Sequence, residues 1–191
     1  METARVFIAV DIGDEIRGRL DALQRTLKKI HSNVRWTQPK NMHLTLAFLG
    51  DVPIVEIDRV TSVIDRACRG AEAFKLKANG IGTFGKPHHP RVIWAGLAAC
   101  PALTALQQQV GEALLAAEIV FDPKPFSPHL TLGRVKSIDR HTQPLLGKLE
   151  KYTDMAFGSV LVSGVELMKS ELMPHRVKYT VLHRVALKQI N

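Results

Sequence analysis

A histidine and a threonine occur together in the same tetrapeptide at two places in the chain. His43-Leu44-Thr45-Leu46 recurs as His129-Leu130-Thr131-Leu132, with one copy in each half of the 191 residues. In a β-strand the side chains alternate between two faces, so each copy places its histidine and threonine on one face and its leucines on the other. We therefore expect the leucines to enter a core, and the imidazole and the hydroxyl to face outward.

These side chains suit proton transfer next to a phosphate group. Imidazole gives or takes a proton near neutral pH, so His43 and His129 can act together, one as acid and the other as base. The hydroxyls of Thr45 and Thr131 can hydrogen-bond phosphate oxygens without adding charge. A single His-x-Thr in a strand is usually structural, but two identical copies indicate a shared catalytic role in transfer at phosphorus.

The composition indicates a globular protein with an anionic partner. Hydrophobic residues make up 46% of the chain, which is enough for a core, and the length suits one compact domain. Lys and Arg total 26 against 18 Asp and Glu, so the formal net charge is +8 and the pI is near 9.7. This balance favours a polyanionic partner, and a generically basic protein is the alternative.

The cysteines and the hydropathy predict a cytoplasmic protein. Cys68 and Cys100 are too few for a disulfide framework, and neither has the spacing of a zinc site. No secretory signal precedes the first predicted strand, and no apolar run approaches the roughly 20 residues that a membrane span needs. We therefore expect a reducing cytoplasmic location and no membrane association.

The rest of the chain alternates between strand and helix patterns that would position the two tetrapeptides. The order strand, helix, strands with the tetrapeptide, helix occurs twice, loosely. It predicts an α+β fold: a duplicated two-lobed module with antiparallel or mixed sheets facing a central groove and helices outside. We expect a single domain over residues 1–191, made of two pseudo-symmetric lobes. The predicted strands are Arg5–Val10, Val34–Trp36, His43–Leu49, Phe74–Ala78, Val92–Leu97, Glu118–Phe121, His129–Val135, Val160–Met168 and Val177–Leu187.

Three helices are predicted from apolar residues at three- and four-residue spacing, namely Ile16–Ile30, Pro53–Arg69 and Pro101–Ala117. Ser137–Lys151 is predicted to contain a short helix broken by Pro144 and Gly147. Lys86–Pro90 is predicted to be a solvated loop, and its adjacent histidines are more simply explained by solvent exposure than by metal binding.

These residues resemble the two-histidine (2H) phosphoesterases. The resemblance rests on two His-x-Thr-x copies, with Phe-Leu-Gly after the first and a proline before the second. It is closest to the bacterial and archaeal RNA 2′,3′-cyclic phosphodiesterases, also called 2′-5′ RNA ligases. The matching segments cover most of the chain in order: Arg5–Val10, His43–Gly50, Pro90–Gly96, Phe126–Arg134, and Val165–Ser170 followed by Tyr179.

The resemblance implies a fold, a reaction and a role for each site residue. Members of the family have two pseudo-symmetric lobes around a groove, use no metal or other cofactor, and hydrolyse a ribose 2′,3′-cyclic phosphate to a 2′-phosphate. By this resemblance His43 is the proton donor, His129 is the proton acceptor, and Thr45 and Thr131 bind the phosphate. The expected partner is RNA with a 2′,3′-cyclic phosphate end, including tRNA fragments, and the protein is expected to be a monomer.

Three alternatives remain open. A 2′-5′ RNA ligase would need the same residues, because it runs the same mechanism backwards. An RNA- or nucleotide-binding module without turnover would not need two proton-transfer groups. A metallo-hydrolase with His43 and His129 as metal ligands is disfavoured, because no Asp or Glu accompanies either tetrapeptide.

Five further side chains have undecided roles. Arg134 should lie on the leucine face if its strand is regular, and there an ion pair outside the groove is as well supported as a phosphate contact. Arg91 precedes a strand and is equally undecided. Phe7, Phe48 and Phe126 are candidates for stacking on an unpaired base. Phe48 is nevertheless expected in the core, because it shares the face of the tetrapeptide leucines.

Overall fold

The computed structural model describes residues 2–86, 89–174 and 176–189, which form nine β-strands and four α-helices. The strands are β1 (Thr3–Val10), β2 (Val34–Trp36), β3 (Leu44–Pro53), β4 (Phe74–Lys86), β5 (His89–Leu97), β6 (His129–Val135), β7 (Ala156–Val162), β8 (Gly164–Leu172) and β9 (Val177–Ala186). The helices are α1 (Gly13–Lys28), α2 (Ile57–Cys68), α3 (Pro101–Ala116) and α4 (Thr142–Leu149). None of these described helices is long and apolar enough to cross a membrane.

The strands form two antiparallel sheets, and each tetrapeptide lies in a different sheet. The first sheet has the order β3-β1-β8-β9, and the second has the order β2-β6-β5-β4-β7. His43 lies directly before β3 in the first sheet, and His129 begins β6 in the second. The predicted α+β fold with antiparallel sheets is therefore confirmed.

Each sheet takes strands from both ends of the chain. The first sheet joins β1 and β3 to the C-terminal strands β8 and β9, while β2 from the N-terminal half lies beside β6 in the second sheet. The helices also cross over, since α1 packs against β7 of the second sheet and α3 packs against both α2 and β3. Neither sheet is thus built from one half of the sequence alone.

Buried leucines hold both tetrapeptides in the core. Leu44, Leu46, Leu130 and Leu132 are each no more than 3% exposed, as the alternation predicts. The helix face predicted from Ile16 onward is also buried, and it supplies the core with the side chains Ile16, Leu20, Leu23 and Leu27. Burial of one such side chain contributes about 1.5–3 kcal/mol, so the leucines anchor both tetrapeptides in the core.

Two bulges in β3 change which of its side chains face the core. The pairing with β1 shifts register twice, and Leu46 and Leu49 are the extra residues on the β3 side. Phe48 therefore pairs with Phe7 on the face that carries Thr45, instead of joining the leucines. The prediction that Phe48 lies in the core was wrong, because one extra residue in a strand reverses the alternation beyond it.

A bulge in β6 has the same effect on Arg134. Val92 pairs with Arg134 and Trp94 pairs with Thr131, so Leu132 is the extra residue. Val92 and Trp94 lie on the same face of β5, which places Arg134 on the face of Thr131. The regular alternation predicted the opposite face, and it fails here because the strand is not regular.

The other differences from the predicted elements also have local causes. The segment predicted as a strand from Glu118 is irregular, because the amides of Glu118 and Ile119 bond to the end of α3 instead of to a neighbouring strand. Helix α4 continues through Pro144, which lies in the first turn where no intrahelical N–H is needed, and through the exposed Gly147. β3 extends beyond Gly50 to Pro53 because Thr3 to Arg5 pair with it.

Two predictions about segments are revised. The predicted strand Val160–Met168 is two strands, β7 and β8, which separate at Ser163 and belong to different sheets. The predicted loop at Lys86–Pro90 is largely strand, since β4 includes Lys86 and β5 begins at His89. Pro87 and His88 lie outside the described residues.

Candidate active site

His43 is held by the turn that precedes it. A single turn of 3-10 helix at Pro39–Asn41 leads into β3, and the buried Asn41 side chain donates from Nδ2 to the carbonyl oxygen of Val177 in β9, over 2.8 Å. The carbonyl oxygen of Asn41 in turn lies 2.9 Å from Nδ1 of His43. Because a carbonyl only accepts, Nδ1 carries the proton and the neutral ring presents its lone pair at Nε2.

The Nε2 atom of His43 points at the threonine of its own tetrapeptide. It lies 3.0 Å from Oγ1 of Thr45, close enough for the hydroxyl to donate to it. Both side chains are half-buried on the same face of the first sheet. The structure therefore brings together the first predicted pair of site residues.

His129 is held in the same way as His43. Its Nδ1 atom donates to the carbonyl oxygen of Ser127, two residues earlier, over 2.7 Å. Among the described residues Nε2 of His129 has no hydrogen-bond partner, and Thr131 lies on the same face of β6. In both imidazoles the main chain two residues back thus binds Nδ1 and sets the tautomer.

Aromatic rings surround each imidazole. Phe7 stacks on His43 with ring centroids 4.6 Å apart, and Tyr179 meets His43 edge-on at 5.2 Å. Phe84 of β4, in the same sheet as His129, meets the His129 ring edge-on at 4.8 Å. These contacts fix the ring planes of the two histidines more tightly than the strands alone would.

The three phenylalanines considered for base stacking make contacts within the protein. Phe7 is only 2% exposed and its ring contacts His43. Phe48 is half-buried with the guanidinium of Arg5 over its ring, at 5.1 Å from the centroid, and Phe126 packs against the core.

Burial makes His43 a weak base in the free protein. Loss of hydration lowers its pKa from the usual 6.5 to about 4. The hydrogen bond to Asn41 opposes this change, and positive charge on His129 adds to it. His43 is therefore uncharged at neutral pH, and that the two imidazoles share one groove stays a prediction.

Two arginines that face this groove lie next to Tyr179. Arg35 in β2 pairs directly with Arg134 in β6, so both lie on the face of Thr131. Burial raises the pKa of the Tyr179 hydroxyl, and the charges of Arg134 and Arg35 oppose that rise, as expected of cations close to it. Arg91 lies elsewhere, at a bulge of β5 in a separate hollow with Lys86 and Lys136.

Sequence patterns did not indicate the residues that orient this site. Asn41 acts through its main-chain oxygen and its amide, and Tyr179 comes from the last strand, which the resemblance included without assigning it a role. Gln24 is fully buried in α1 and donates from Nε2 to the carbonyl oxygen of Leu132, the bulged residue of β6, over 2.9 Å. In the sequence, the position of Gln24 on the leucine face of α1 could have indicated that its side chain is buried.

The donor set near the histidines contains no carboxylate cluster. In the part of the chain that the structure describes, no three His, Cys, Asp or Glu side chains converge in a way that could hold a metal ion. The arrangement is suited to proton transfer instead, since Thr45 lies beside Nε2 of the uncharged His43, and His129 shares one face of β6 with Thr131.

Comparison with known proteins places this geometry in a family. The family described as LigT like Phosphoesterase matches residues 10–94 and 97–179, and each matched segment contains one tetrapeptide. An RNA 2′,3′-cyclic phosphodiesterase of Methanothermobacter thermautotrophicus is 34% identical over 177 residues, covering 92% of this chain and 95% of that protein. The protein of the same name from Thermotoga maritima is 31% identical over 179 residues, covering 94% and 93%.

Solved structures agree with these sequence relatives. A Thermus thermophilus protein superposes with a TM-score of 0.81 at 28% identity, covering 98% of this chain and all of that one. Escherichia coli LigT complexed with 3′-AMP superposes with a TM-score of 0.78 at 26% identity, with the same coverage. The matched segments, the relatives and the shared fold together show that this chain belongs to the LigT-like phosphoesterase family.

Proposed function

We propose that the protein hydrolyses the 2′,3′-cyclic phosphate ends of RNA to 2′-phosphomonoesters, without a metal or other cofactor. The observation that carries this proposal is the pair of imidazoles, each with Nδ1 bonded to a main-chain carbonyl and each on the same strand face as the threonine of its tetrapeptide. The relatives named RNA 2′,3′-cyclic phosphodiesterase support it, because they align over nearly the whole chain.

In the proposed reaction the two histidines take the donor and acceptor roles that the family resemblance implies. His129 takes a proton from water, and the water oxygen attacks phosphorus in line with the 3′ oxygen. The bond from phosphorus to the 3′ oxygen breaks, and His43 gives a proton to that oxygen. Thr45 and Thr131 donate hydrogen bonds to the non-bridging oxygens, where negative charge increases in the transition state.

His43 can act as the proton donor only if substrate binding causes its imidazole to become protonated. In the free protein the pKa of His43 is about 4, so the ring is neutral at pH 7. A phosphate anion against a buried imidazole favours the charged form and raises that pKa. Substrate binding thus allows His43 to take up a proton, which it then gives to the leaving oxygen. Once Nε2 is protonated, the hydroxyl of Thr45 can donate its hydrogen bond to the phosphate instead.

A product assay tests the proposal. Purified protein is incubated with a nucleoside 2′,3′-cyclic phosphate, and the products are compared by phosphorus NMR with authentic 2′ and 3′ isomers. We expect the 2′-phosphate. Predominant 3′-phosphate would mean that the substrate lies the other way round, and the donor and acceptor roles of His43 and His129 would have to be exchanged.

Several broader features belong to the same proposal. We propose that RNA is the polymeric partner, including tRNA fragments, which the net charge of +8 supports. We propose a monomer with one domain over residues 1–191 and two pseudo-symmetric lobes, supported by sheets that each combine strands from both chain ends. A reducing cytoplasmic location is supported by Cys68 and Cys100, which are both free thiols.

A further inference from the structure

A basic cleft opens beside the paired histidines. It has a volume of about 420 Å³ and is lined from both sheets, by Arg35, Arg134 and Lys136 on one side and by Arg176 on the other. Asn41 and Tyr179, which contact His43, also line it, so the cleft adjoins the catalytic groove. We call it the Arg35 cleft.

The cations of the Arg35 cleft lack counter-ions within the protein. None of the four forms an ion pair in the described part of the chain, and no Asp or Glu lines the cleft. Many arginines elsewhere are paired with carboxylates, namely Arg17, Arg19, Arg25, Arg59 and Arg184. Four unpaired cations in one concavity repel one another and attract an anion from outside.

The proposed substrate limits what that anion can be. A 2′,3′-cyclic phosphate is a chain end, so the RNA has no further phosphate on its 3′ side. Every other phosphate lies on the 5′ side, beginning with the one on the 5′ oxygen of the terminal ribose. A second phosphate site next to the reacting one can therefore only contact the 5′ part of the chain.

We propose that the Arg35 cleft binds the phosphodiester on the 5′ side of the terminal nucleotide, and so makes the enzyme select RNA ends over free cyclic mononucleotides. This inference rests on the proposed function. Planar guanidinium groups suit phosphate oxygens, and the cleft contains one from Arg35 in β2 and one from Arg176, directly before β9. Arg35 and Arg176 act on the binding of the chain and do not touch the reacting phosphorus.

The test uses three substrates that differ in one group. They are a nucleoside 2′,3′-cyclic phosphate, a dinucleotide with the same cyclic end, and that dinucleotide with a neutral methylphosphonate linkage. In the unmodified enzyme we expect kcat/KM for the phosphodiester dinucleotide to exceed both other values by about tenfold, chiefly through KM, the usual scale of a charge-assisted contact.

The variants remove one charge from either side of the cleft. Arg35→Gln and Arg176→Gln should each abolish most of this preference, so kcat/KM should fall several-fold more for the phosphodiester dinucleotide than for the mononucleotide. Arg35→Lys should keep part of it. Arg69→Gln, which removes the same charge at an exposed position after α2, is the matched control and should keep the full preference.

Two kinetic results would overturn the inference. Equal kcat/KM for the phosphodiester and methylphosphonate dinucleotides would show that no second phosphate is bound. An equal loss by Arg35→Gln and Arg176→Gln on the mononucleotide and the dinucleotide would place these arginines at the reacting phosphate.

A binding measurement separates this inference from the proposed function. A fluorescent tetranucleotide with a cyclic end is titrated with His129→Ala protein at several salt concentrations. Loss of one phosphate contact should reduce the salt slope of log K by about 0.7 in the Arg35→Gln background. No hydrolysis of any substrate would contradict the proposed function alone, whereas an unchanged slope in both cleft variants would contradict the second site.

Discussion

The imidazole of His43 stacks on the ring of Phe7, with the ring centroids 4.6 Å apart and the planes inclined by 26°. Phe7 is almost fully buried, so this contact keeps water away from one face of the imidazole. The low pKa of His43 is a direct consequence, because desolvation is its largest cause.

Removal of the Phe7 ring should therefore raise the pKa of His43. In the unmodified protein we expect an NMR titration of His43 with a midpoint at about 4. In Phe7→Ala the midpoint should move toward the ordinary value of about 6.5, because water reaches the ring. Phe48→Ala is the control, since its ring contacts Arg5 and neither histidine, and an equal shift there would contradict this account.

The same pKa predicts how stability depends on pH. The folded pKa of His43, about 4, lies below the ordinary value of 6.5, so the unfolded chain binds the proton more tightly. The stability contributed by the neutral ring is fully present above pH 6.5 and is lost as the pH falls toward 4, by roughly 2–3 kcal/mol. Urea unfolding at pH 7 and pH 4.5 measures it.

In that experiment His43→Gln should lose less stability on acidification than the unmodified protein, by the same 2–3 kcal/mol. Carboxylates with lowered pKa values, such as Asp139 and Glu171, also lose stability on acidification, but their contribution is the same in both proteins and drops out of the comparison. Identical acid sensitivity of the two proteins would show that His43 does not titrate with a low pKa.

The two histidines should behave as one unit in catalysis. We expect His43→Ala and His129→Ala each to reduce kcat by about 10²–10⁴-fold, the usual range for loss of an acid or a base. The double variant should lose much less than the product of the two factors. Steady-state rates on a cyclic mononucleotide decide this, and near-full activity of either single variant at neutral pH would exclude the proposed mechanism.

Chelation should leave the activity intact. In the proposed mechanism the paired imidazoles transfer protons without a Lewis acid, and the described residues hold no cluster of three metal-ligating side chains. The rate is measured before and after exhaustive dialysis against EDTA. A loss of activity that zinc or manganese restores would favour the metallo-hydrolase alternative instead.

Gln24 should contribute more to stability than any exposed glutamine. Its Nε2 atom donates to Thr37 and Leu132, each over 2.9 Å. Gln24→Leu leaves buried carbonyl groups with fewer donors, so we expect a loss of about 1–3 kcal/mol in the free energy of unfolding. Gln108→Leu on the exposed face of α3 is the control and should change it by less than about 0.5 kcal/mol. If both substitutions changed the free energy of unfolding equally, the hydrogen bonds of Gln24 at the bulge would not stabilise the fold.

The sequence by itself determined which side chains enter the core along each regular element. The spacing of Ile16, Leu20, Leu23 and Leu27 predicted the buried face of α1, and the alternation in both tetrapeptides predicted their buried leucines. These features depend only on the period of a helix or a strand, so neighbouring residues are enough to predict them. The catalytic roles of His43 and His129 stay a prediction, which rests on the repeated tetrapeptide and, for donor and acceptor, on the family resemblance.

Tertiary structure decided the features that depend on contacts between distant segments. A bulge adds one residue against a partner strand, so Phe48 and Arg134 changed faces in a way that no period within their own strands reveals. Asn41 orients His43 only because Val177 lies beside it, and the low pKa of His43 depends on the burial that Phe7 and its neighbours create. Alternation predicts a side chain's face only while pairing stays regular, and burial depends on what the rest of the chain places above that face.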